Sequence, residues 1–311
     1  MTLGQLSAFV LVARLGSVTG AARALGVSEP AVSQALAALR QHHGDKLIVR
    51  TAGGMTLTPG GSRLLPIASQ MVALGADADA AVREANGMAE RLQVAVTSTL
   101  AEFVANPLLE AFIAKSGPPI DAASGLARTA EMAVLLNNRL ADAAFGPRLD
   151  GGLDSTPVFR CALIAVAAPG FRARGNPAKW PWLVDPTGAD PDSETAKVLR
   201  GLGIPEESIQ VYPNQTAAWS AAASGHGVSM AFEHLAAPQL RRRDLVVVST
   251  PATPVTVCWH LTTLPQGRIS PAAASLRHFV STPAAMQVMR SPGAGVPPSR
   301  FRPPVYVTIW S

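Results

Sequence analysis

Apolar residues in the N-terminal segment recur with helical spacing in three consecutive stretches. Residues 2–15, 18–25 and 29–43 each repeat apolar side chains three or four positions apart, which is typical of one face of an amphipathic helix. The pattern therefore predicts three short helices that share a core. The residues expected to fill that core are Leu3, Leu6, Phe9, Val10, Ala13, Val18, Ala21, Ala22, Leu25, Ala31, Val32, Ala35, Leu36 and Leu39.

The junction between the second and third predicted helices carries the end signals of both. Gly26 ends the second helix, because glycine accepts the left-handed conformation that commonly follows a helix end. Ser28 is a good cap for the third helix, and Glu29 and Pro30 suit its first turn. Residues 17–39 thus predict a helix-turn-helix, although a purely structural helical hairpin would give the same spacing.

The polar face of the third helix has the side chains expected of a DNA-reading helix. Ser33 and Gln34 lie near its N-terminus, where they can face base edges in the major groove. The expected DNA contacts of the hairpin are Ser17, Ser28, Glu29, Pro30, Ser33 and Gln34.

Two short strands are expected directly after this hairpin. Residues 47–49 and 55–57 are strand-like, and residues 51–54 form a turn between them, which together predict a wing. Arg50 and Thr51 are expected to meet phosphates or the minor groove there. Residues 1–58 are accordingly interpreted as a winged helix-turn-helix domain, all-α with a small β wing.

A long apolar helix is predicted over residues 59–88. Thr58 is its expected cap and Pro59 its first residue. Its broad apolar face needs a partner, so we expect this linker helix to join two copies of the chain as a homodimer.

The charge distribution favours a polyanion as the partner of the N-terminal region. The chain has a net charge of +5, and its first 65 residues carry six basic against two acidic residues, or +4. A basic excess beside a helix-turn-helix indicates double-stranded DNA.

An ordered series of motifs in this region resembles the LysR-type transcriptional regulators. It comprises Leu6-x-x-Phe9, Gly16-Ser17, Ala21-Ala22-x-x-Leu25, Ser28-x-Pro30-Ala31-Val32-Ser33, Leu36-x-x-Leu39, Gly44-x-x-Leu47, Arg50 and Leu57-Thr58-x-x-Gly61. The resemblance implies a DNA-binding regulator with a two-lobed, periplasmic-binding-protein-like domain that senses a small-molecule effector. It also implies a homotetramer, built as a dimer of dimers.

From residue 91 onward the pattern changes to alternating strands and helices, which predicts an α/β domain with parallel strands. We expect an effector-binding domain over 89–283, with lobe one at 91–157 and 263–283 and lobe two at 158–262. The composition of residues 284–311, rich in Pro, Gly and Arg, predicts a flexible C-terminal tail in which residues 305–310 are strand-like.

The expected effector site lies between the lobes, beyond the ends of the strands. Residues 97–99 end a strand and open a helix, so their hydroxyl and amide groups favour an anionic or polar ligand. Asp185 is expected either to select a cationic or hydroxylated ligand or to be a solvated turn residue. The full set of expected effector contacts is Thr97, Ser98, Thr99, Ser124, Phe145, Asp185, Thr187, Asn214, Gln215 and Phe232.

Other classes of protein find little support in the sequence. It has no catalytic triad, no glycine-rich phosphate loop and no cluster with metal-ligand spacing, so we expect no enzyme activity, metal or cofactor. Its two cysteines, Cys161 and Cys258, are expected to be buried thiols in the reducing cytoplasm, with a redox pair as the alternative. Neither a signal peptide nor a membrane span is predicted. A DNA-binding regulator without a ligand remains an alternative function, as does a cytoplasmic small-molecule-binding protein or enzyme that uses the two-lobed domain.

Overall fold

The computed structural model describes residues 1–51, 54–117 and 119–291. Its N-terminal part is a three-helix unit followed by a two-stranded antiparallel wing. The helices are α1 (Leu3–Leu15), α2 (Val18–Leu25) and α3 (Glu29–His43), and the strands are β1 (Ile48–Thr51) and β2 (Gly54–Leu57). The predicted turn of the wing includes residues 52 and 53, which lie outside the described residues.

Local signals set the ends of these helices. A capping box joins Thr2 and Gln5 at the start of α1, and the Ser28 hydroxyl accepts from the Ala31 N–H at the start of α3. Gly26 ends α2 with a φ of 66°, the left-handed conformation that glycine adopts at little cost. The chain therefore folds here as the hydrophobic pattern and the caps predict.

One long helix, α4 (Pro59–Ala85), connects the N-terminal unit to the rest of the chain. Leu65, Ala68 and Val72 are buried on it and belong to the core that α1 also helps to fill. Gly75 allows close contact, because a Cβ atom at this position would lie 2.7 Å from the Cδ1 atom of Leu3. Only part of the apolar surface of α4 is thus covered by its own chain.

The remaining described residues form one nine-stranded sheet with helices packed on it. The strands are β3 (Glu90–Val96), β4 (Ile120–Leu126), β5 (Ala143–Gly146), β6 (Asp154–Ala167), β7 (Trp182–Val184), β8 (Ile209–Val211), β9 (Val228–Phe232), β10 (Val246–Val248) and β11 (Val255–Thr263). Their order in the sheet is β4-β3-β5-β11-β6-β9-β7-β8, and β10 pairs with β6.

Two long antiparallel strands, β6 and β11, carry the sheet from one lobe to the other. The C-terminal half of β11 pairs with β5 of lobe one, and β6 pairs with β9 of lobe two. The β6–β11 register shifts between Trp259 and His260, three residues before the lobe boundary expected at 262/263. A bulge of this kind bends the strand.

The helices of the two-lobed part cover both lobes. They are α5 (Ser98–Leu100), α6 (Asn106–Ile113), α7 (Thr129–Asn137), α8 (Glu194–Gly201), α9 (Gln215–Ala223), α10 (Glu233–Arg242), α11 (Pro271–Phe279) and α12 (Pro283–Arg290). A π-helical segment, Ala101–Ala105, joins α5 to α6 without a break.

The expected boundary of the C-terminal tail needs correction. Residues 283–290 form α12, on which Ala285 and Met289 are buried, and this helix packs against α6. Its apolar residues cover lobe one, so residues 284–290 are part of the domain. The strand-like stretch at 305–310 lies outside the described residues.

The N-terminal unit and lobe one share a hydrophobic core. Phe9 of α1 belongs to the same buried cluster as Met132 and Leu136 of α7. Two ion pairs accompany this contact: Arg23 to Glu131 at 3.8 Å and Arg139 to Asp77 at 3.3 Å. Among the described residues, no helix is long and apolar enough to cross a membrane.

Candidate DNA interface and effector cleft

Helix α3 has one buried apolar side and one exposed polar side. Val32, Leu36 and Leu39 are buried against the other N-terminal helices. The opposite side is open along the first two turns, where the expected DNA contacts Ser28, Glu29, Pro30, Ser33 and Gln34 are all exposed. An α-helix with this free polar side fits the major groove of DNA.

Ser17 has a structural role at the start of α2. Its hydroxyl accepts from the Gly20 N–H at 3.1 Å, and the residue is half-buried. This bond satisfies one of the free amides of the first turn. A DNA contact by Ser17 would add to this capping role.

Hydrogen bonds of Arg40 and Asp45 connect the wing to the helices, and the sequence did not predict these roles. The Arg40 guanidinium donates to the carbonyl oxygens of Lys46 at 2.8 Å and Ile48 at 3.0 Å. The Asp45 carboxylate accepts from the Leu47 N–H at 2.7 Å and the Thr58 hydroxyl at 2.8 Å, and these bonds lower its pKa.

These contacts position the two residues of the wing that were expected at the DNA. Arg50 and Thr51 are exposed on β1, and the Thr51 hydroxyl donates to the Gly54 carbonyl oxygen at 3.1 Å. An exposed arginine on a wing beside α3 is placed to meet the phosphate backbone.

The two lobes contact each other directly at the predicted effector site. The Ser98 and Thr99 hydroxyls of lobe one donate to the same oxygen, Oδ2, of Asp185 in lobe two, with Thr99 at 3.0 Å. The Thr187 hydroxyl accepts from the Ser98 N–H at 2.9 Å. Asp185 is only 3 % exposed, so it is not the solvated turn residue that the sequence allowed.

A second contact between the lobes lies one turn further along the helix from lobe one. The Glu102 carboxylate accepts from the backbone N–H groups of Gln215 at 2.9 Å and Thr216 at 3.1 Å, and from the Thr216 hydroxyl. Burial raises the pKa of Glu102, and the negative charge of Asp185 adds to the rise. The carboxylate thus lies at the N-terminus of α9, where the helix dipole favours a negative group.

A third contact joins α7 to lobe two. The Asp190 carboxylate accepts from the Thr129 N–H at 2.8 Å, and Asp190 is buried. All three contacts use a carboxylate at the N-terminus of a helix from the opposite lobe.

A narrow cavity of about 30 Å³ lies beside the first contact, enough for about one water molecule. Of the expected effector residues, Thr97, Thr99, Thr187, Gln215 and Phe232 line it. Its apolar side includes Leu163, Met230 and Trp259, none of which was expected.

Five expected effector residues do not line the cavity: Ser98 and Asp185 form the first contact between the lobes, and three others have separate positions. Phe145 is buried, with its ring centroid 5.9 Å from that of Trp259. Ser124 lies on the edge strand β4, and Asn214 caps α9 by accepting from the Ala217 N–H at 2.8 Å. None of the three lines the cavity.

Cys161 and Cys258 are half-buried and not buried as expected from the sequence. Cys161 faces Val257 in the register of β6 and β11, so it and Cys258 point to opposite faces of the sheet. Burial raises the pKa of the Cys161 thiol to about 12. Both thiols are free, and no group of three or more potential metal ligands occurs among the described residues.

Together, a winged helix-turn-helix with an open polar helix and a two-lobed domain that closes on itself define a DNA-binding regulator with a sensor domain. Residues 3–62 match the family model of the bacterial regulatory helix-turn-helix protein, lysR family, and residues 85–283 match the LysR substrate binding domain. The chain belongs to the LysR family of transcriptional regulators, which are not enzymes.

Similarity to individual proteins extends over the whole length. An uncharacterized HTH-type transcriptional regulator of Mycobacterium tuberculosis is 34 % identical over 100 % of both chains. The regulator CfxR of Cupriavidus necator is 28 % identical over 96 % of this chain and 97 % of its own.

Solved structures show the same fold. The full-length structure of AphB, a virulence activator of Vibrio cholerae, matches with a TM-score of 0.55 and 18 % identity, covering 90 % of this chain and 98 % of that one. Full-length LysG of Corynebacterium glutamicum with bound effector Arg matches with a TM-score of 0.51 and 21 % identity, covering 92 % of this chain and 99 % of LysG.

Proposed function

We propose that this regulator binds its operator in the cytoplasm as a homodimer joined through α4, and that two dimers assemble into a tetramer. In each chain, α3 reads base edges with Ser33 and Gln34, while Arg50 and Thr51 hold the wing on the phosphate backbone. The observation that carries the DNA-binding role is the polar start of α3, which is exposed while the other side of the helix is buried.

The dimer is supported by the apolar surface of α4 that its own chain leaves open. Ile67, Leu74 and Val82 are 55 %, 66 % and 61 % exposed. They are spaced seven and eight residues apart, so they lie along one side of the helix. The side of α4 that contains Leu65 and Val72 is already buried in its own chain. A second α4 would cover the open side as in a coiled coil.

The effector is proposed to bind between the lobes, beside Thr99, Thr187 and Gln215. These residues line the cavity, and the two lobes meet around it through side chains that a ligand could engage. A ligand that binds one arrangement of the lobes better than another would shift the equilibrium between the two. The relative LysG, which shares the fold, has arginine as its bound effector.

The DNA-binding role is tested by measuring binding of the full chain to DNA from upstream of its own coding region, at two salt concentrations. Gln34→Ala is expected to cost about 1–3 kcal/mol at the specific site, and Gln41→Ala, an exposed position at the other end of the same helix, is the matched control. Arg50→Ala is expected to weaken binding to all sequences and to reduce the salt slope by about 1, with Arg14→Ala as its control. Failure of the native protein to bind any fragment at low salt would contradict the proposal.

The dimer is tested by light scattering coupled to gel filtration. Leu74→Asp places a charge on the open apolar side and is expected to yield a monomer. Ala80→Asp introduces the same charge at another exposed position of α4 and is expected to leave the assembly intact. Equal masses for both variants would refute an interface through this side of α4.

A further inference from the structure

The strongest unexplained feature of the cleft is a carboxylate that belongs to the protein itself. Asp185 comes from lobe two, yet its Oδ2 atom accepts both hydroxyls at the start of the lobe-one helix, those of Ser98 and Thr99. Its other oxygen, Oδ1, accepts the Gly188 N–H at 2.8 Å. The hydroxyl pair at this helix N-terminus is the arrangement that would otherwise bind a carboxylate or phosphate of a ligand.

The Asp185 carboxylate is held at this helix N-terminus away from solvent and from basic side chains. The residue is 3 % exposed, and no lysine or arginine forms a salt bridge with it within the described ranges 1–51, 54–117 and 119–291. The donors to its carboxylate are the Ser98 and Thr99 hydroxyls and the Gly188 N–H. A second anion brought to the same donors would meet a like charge and find them occupied.

Glu102 adds a second carboxylate to the cleft and therefore to its repulsion of anions. Its carboxylate accepts from the backbone N–H groups of Gln215 and Thr216 at the contact between the lobes. No lysine or arginine is among the residues that line the cavity. Glu194 lines the cavity and is paired with Lys197 at 2.8 Å, while Asp185 and Glu102 lie at the lobe contacts. The wall of the cavity is largely apolar and includes Phe232 and Trp259.

We propose that Asp185 determines effector specificity by occupying the place of a ligand carboxylate, so that this cleft rejects anions and accepts a small neutral or cationic ligand. This inference rests on the proposed effector role of the cleft. Of the anionic or polar ligand expected from the sequence at residues 97–99, it retains only the polar alternative. The same residue joins the two lobes, because it comes from lobe two and accepts hydrogen bonds from Ser98 and Thr99 of lobe one.

The test replaces Asp185 by a shorter residue and then supplies a free carboxylate, acetate, that can bind in its place. In Asp185→Ser, the shorter side chain leaves space at the Ser98 and Thr99 hydroxyls while keeping an acceptor near Gly188. Thermal unfolding of the full chain is followed in sodium acetate and in sodium chloride of equal ionic strength. Acetate is expected to raise the Tm of Asp185→Ser by about 3 °C or more over chloride, and that of the native protein by less than about 1 °C.

Asp185→Asn is the matched control, since its amide has the shape of the native side chain and fills the same space. It is expected to be less stable than the native protein and to respond to acetate as little. If Asp185→Ser does not fold in chloride, recovery of folded protein in acetate becomes the measurement. Acetamide, uncharged and of the same shape as acetate, should give less stabilisation of Asp185→Ser.

Three results would overturn the proposal: an equal acetate effect on the native protein, an acetate effect on Asp185→Asn, or none on Asp185→Ser. If Asp185→Ser does not fold in chloride, failure of acetate to recover folded protein would count as the last of these. Operator binding is measured separately on the native protein. Its loss would contradict the regulatory function and leave the acetate comparison unaffected, so the two failures are distinguishable.

Discussion

Replacing Gly61 by alanine should displace the wing from the start of the linker helix. Gly61 lies in the first turn of α4, and a Cβ atom there would sit 2.0 Å from the carbonyl oxygen of Leu47. That contact is with backbone, so no rotamer change relieves it. Either α4 or the segment that leads into β1 has to move by roughly 1 Å or more to reach a normal contact distance.

The decrease in the free energy of unfolding follows from the hydrogen bonds that join the start of α4 to the segment that leads into β1. The Thr58 N–H donates to the Leu47 carbonyl oxygen at 3.0 Å, and the Gly61 N–H donates to the Thr58 hydroxyl at 3.0 Å. Losing both costs about 2 kcal/mol, and overpacking beside the buried Leu47 adds about 1–3 kcal/mol. Alanine has a higher helix propensity than glycine, which offsets about 1 kcal/mol of this loss. The free energy of unfolding should therefore fall by about 2–4 kcal/mol.

Urea unfolding measures the stability, and binding to operator DNA measures the position of the wing. Gly4→Ala is the matched control, because a Cβ at Gly4 meets nothing closer than 4.0 Å and should be neutral or slightly stabilising. The DNA affinity of folded Gly61→Ala should fall about tenfold, since Arg50 moves with the wing. If the two glycine variants are equally stable, the steric reasoning about Gly61 is wrong.

Three further predictions concern the two-lobed domain. Burial lowers the pKa of His234 to about 4, so the ring stays neutral in the folded protein at pH values where the unfolded chain, with a pKa of about 6.5, binds a proton. The free energy of unfolding should therefore fall as the pH drops from about 6.5 to about 4, by at most about 1.4 kcal/mol per pH unit. The variant His234→Phe should flatten the pH profile of Tm. Cys161 and Cys258 point to opposite faces of the sheet, so a mild oxidant should give no internal disulfide by mass spectrometry, and finding one would refute the register. Arg23→Ala breaks a half-exposed ion pair 3.8 Å long, so the free energy of unfolding should change by less than about 1 kcal/mol.

Local signals predicted the N-terminal unit well because each of its ends is set by neighbouring residues. Ser28 caps α3, and Gly26 and Gly44 end their helices in the left-handed conformation. The Asp185 contacts could not be predicted in this way. Asp185 and Ser98 are 87 residues apart, and only the closure of two lobes brings them together.

Two helices escaped prediction for different reasons. Helix α10 contains Pro238 in its interior, a residue that in a sequence indicates a break, and it ends with Arg241 and Arg242. Helix α12 was assigned to the tail because the composition beyond it is rich in proline and glycine. In both cases burial of a few apolar residues, such as Leu235 and Met289, outweighs local preference.

The position of α1 between α4 and α7 bears on how such a regulator could act on its operator. Because α1 shares its core with both helices, the DNA-binding unit and lobe one should turn as one rigid body. In the proposed dimer, the adjustable joint would then be the contact between two α4 helices. A rotation of about 10° there, acting over the roughly 40 Å length of α4, would shift a recognition helix by about 7 Å, the rise of about two base pairs. Such a rotation would change the distance between the two recognition helices of the dimer, and with it the spacing of the two DNA half-sites that the dimer can bind.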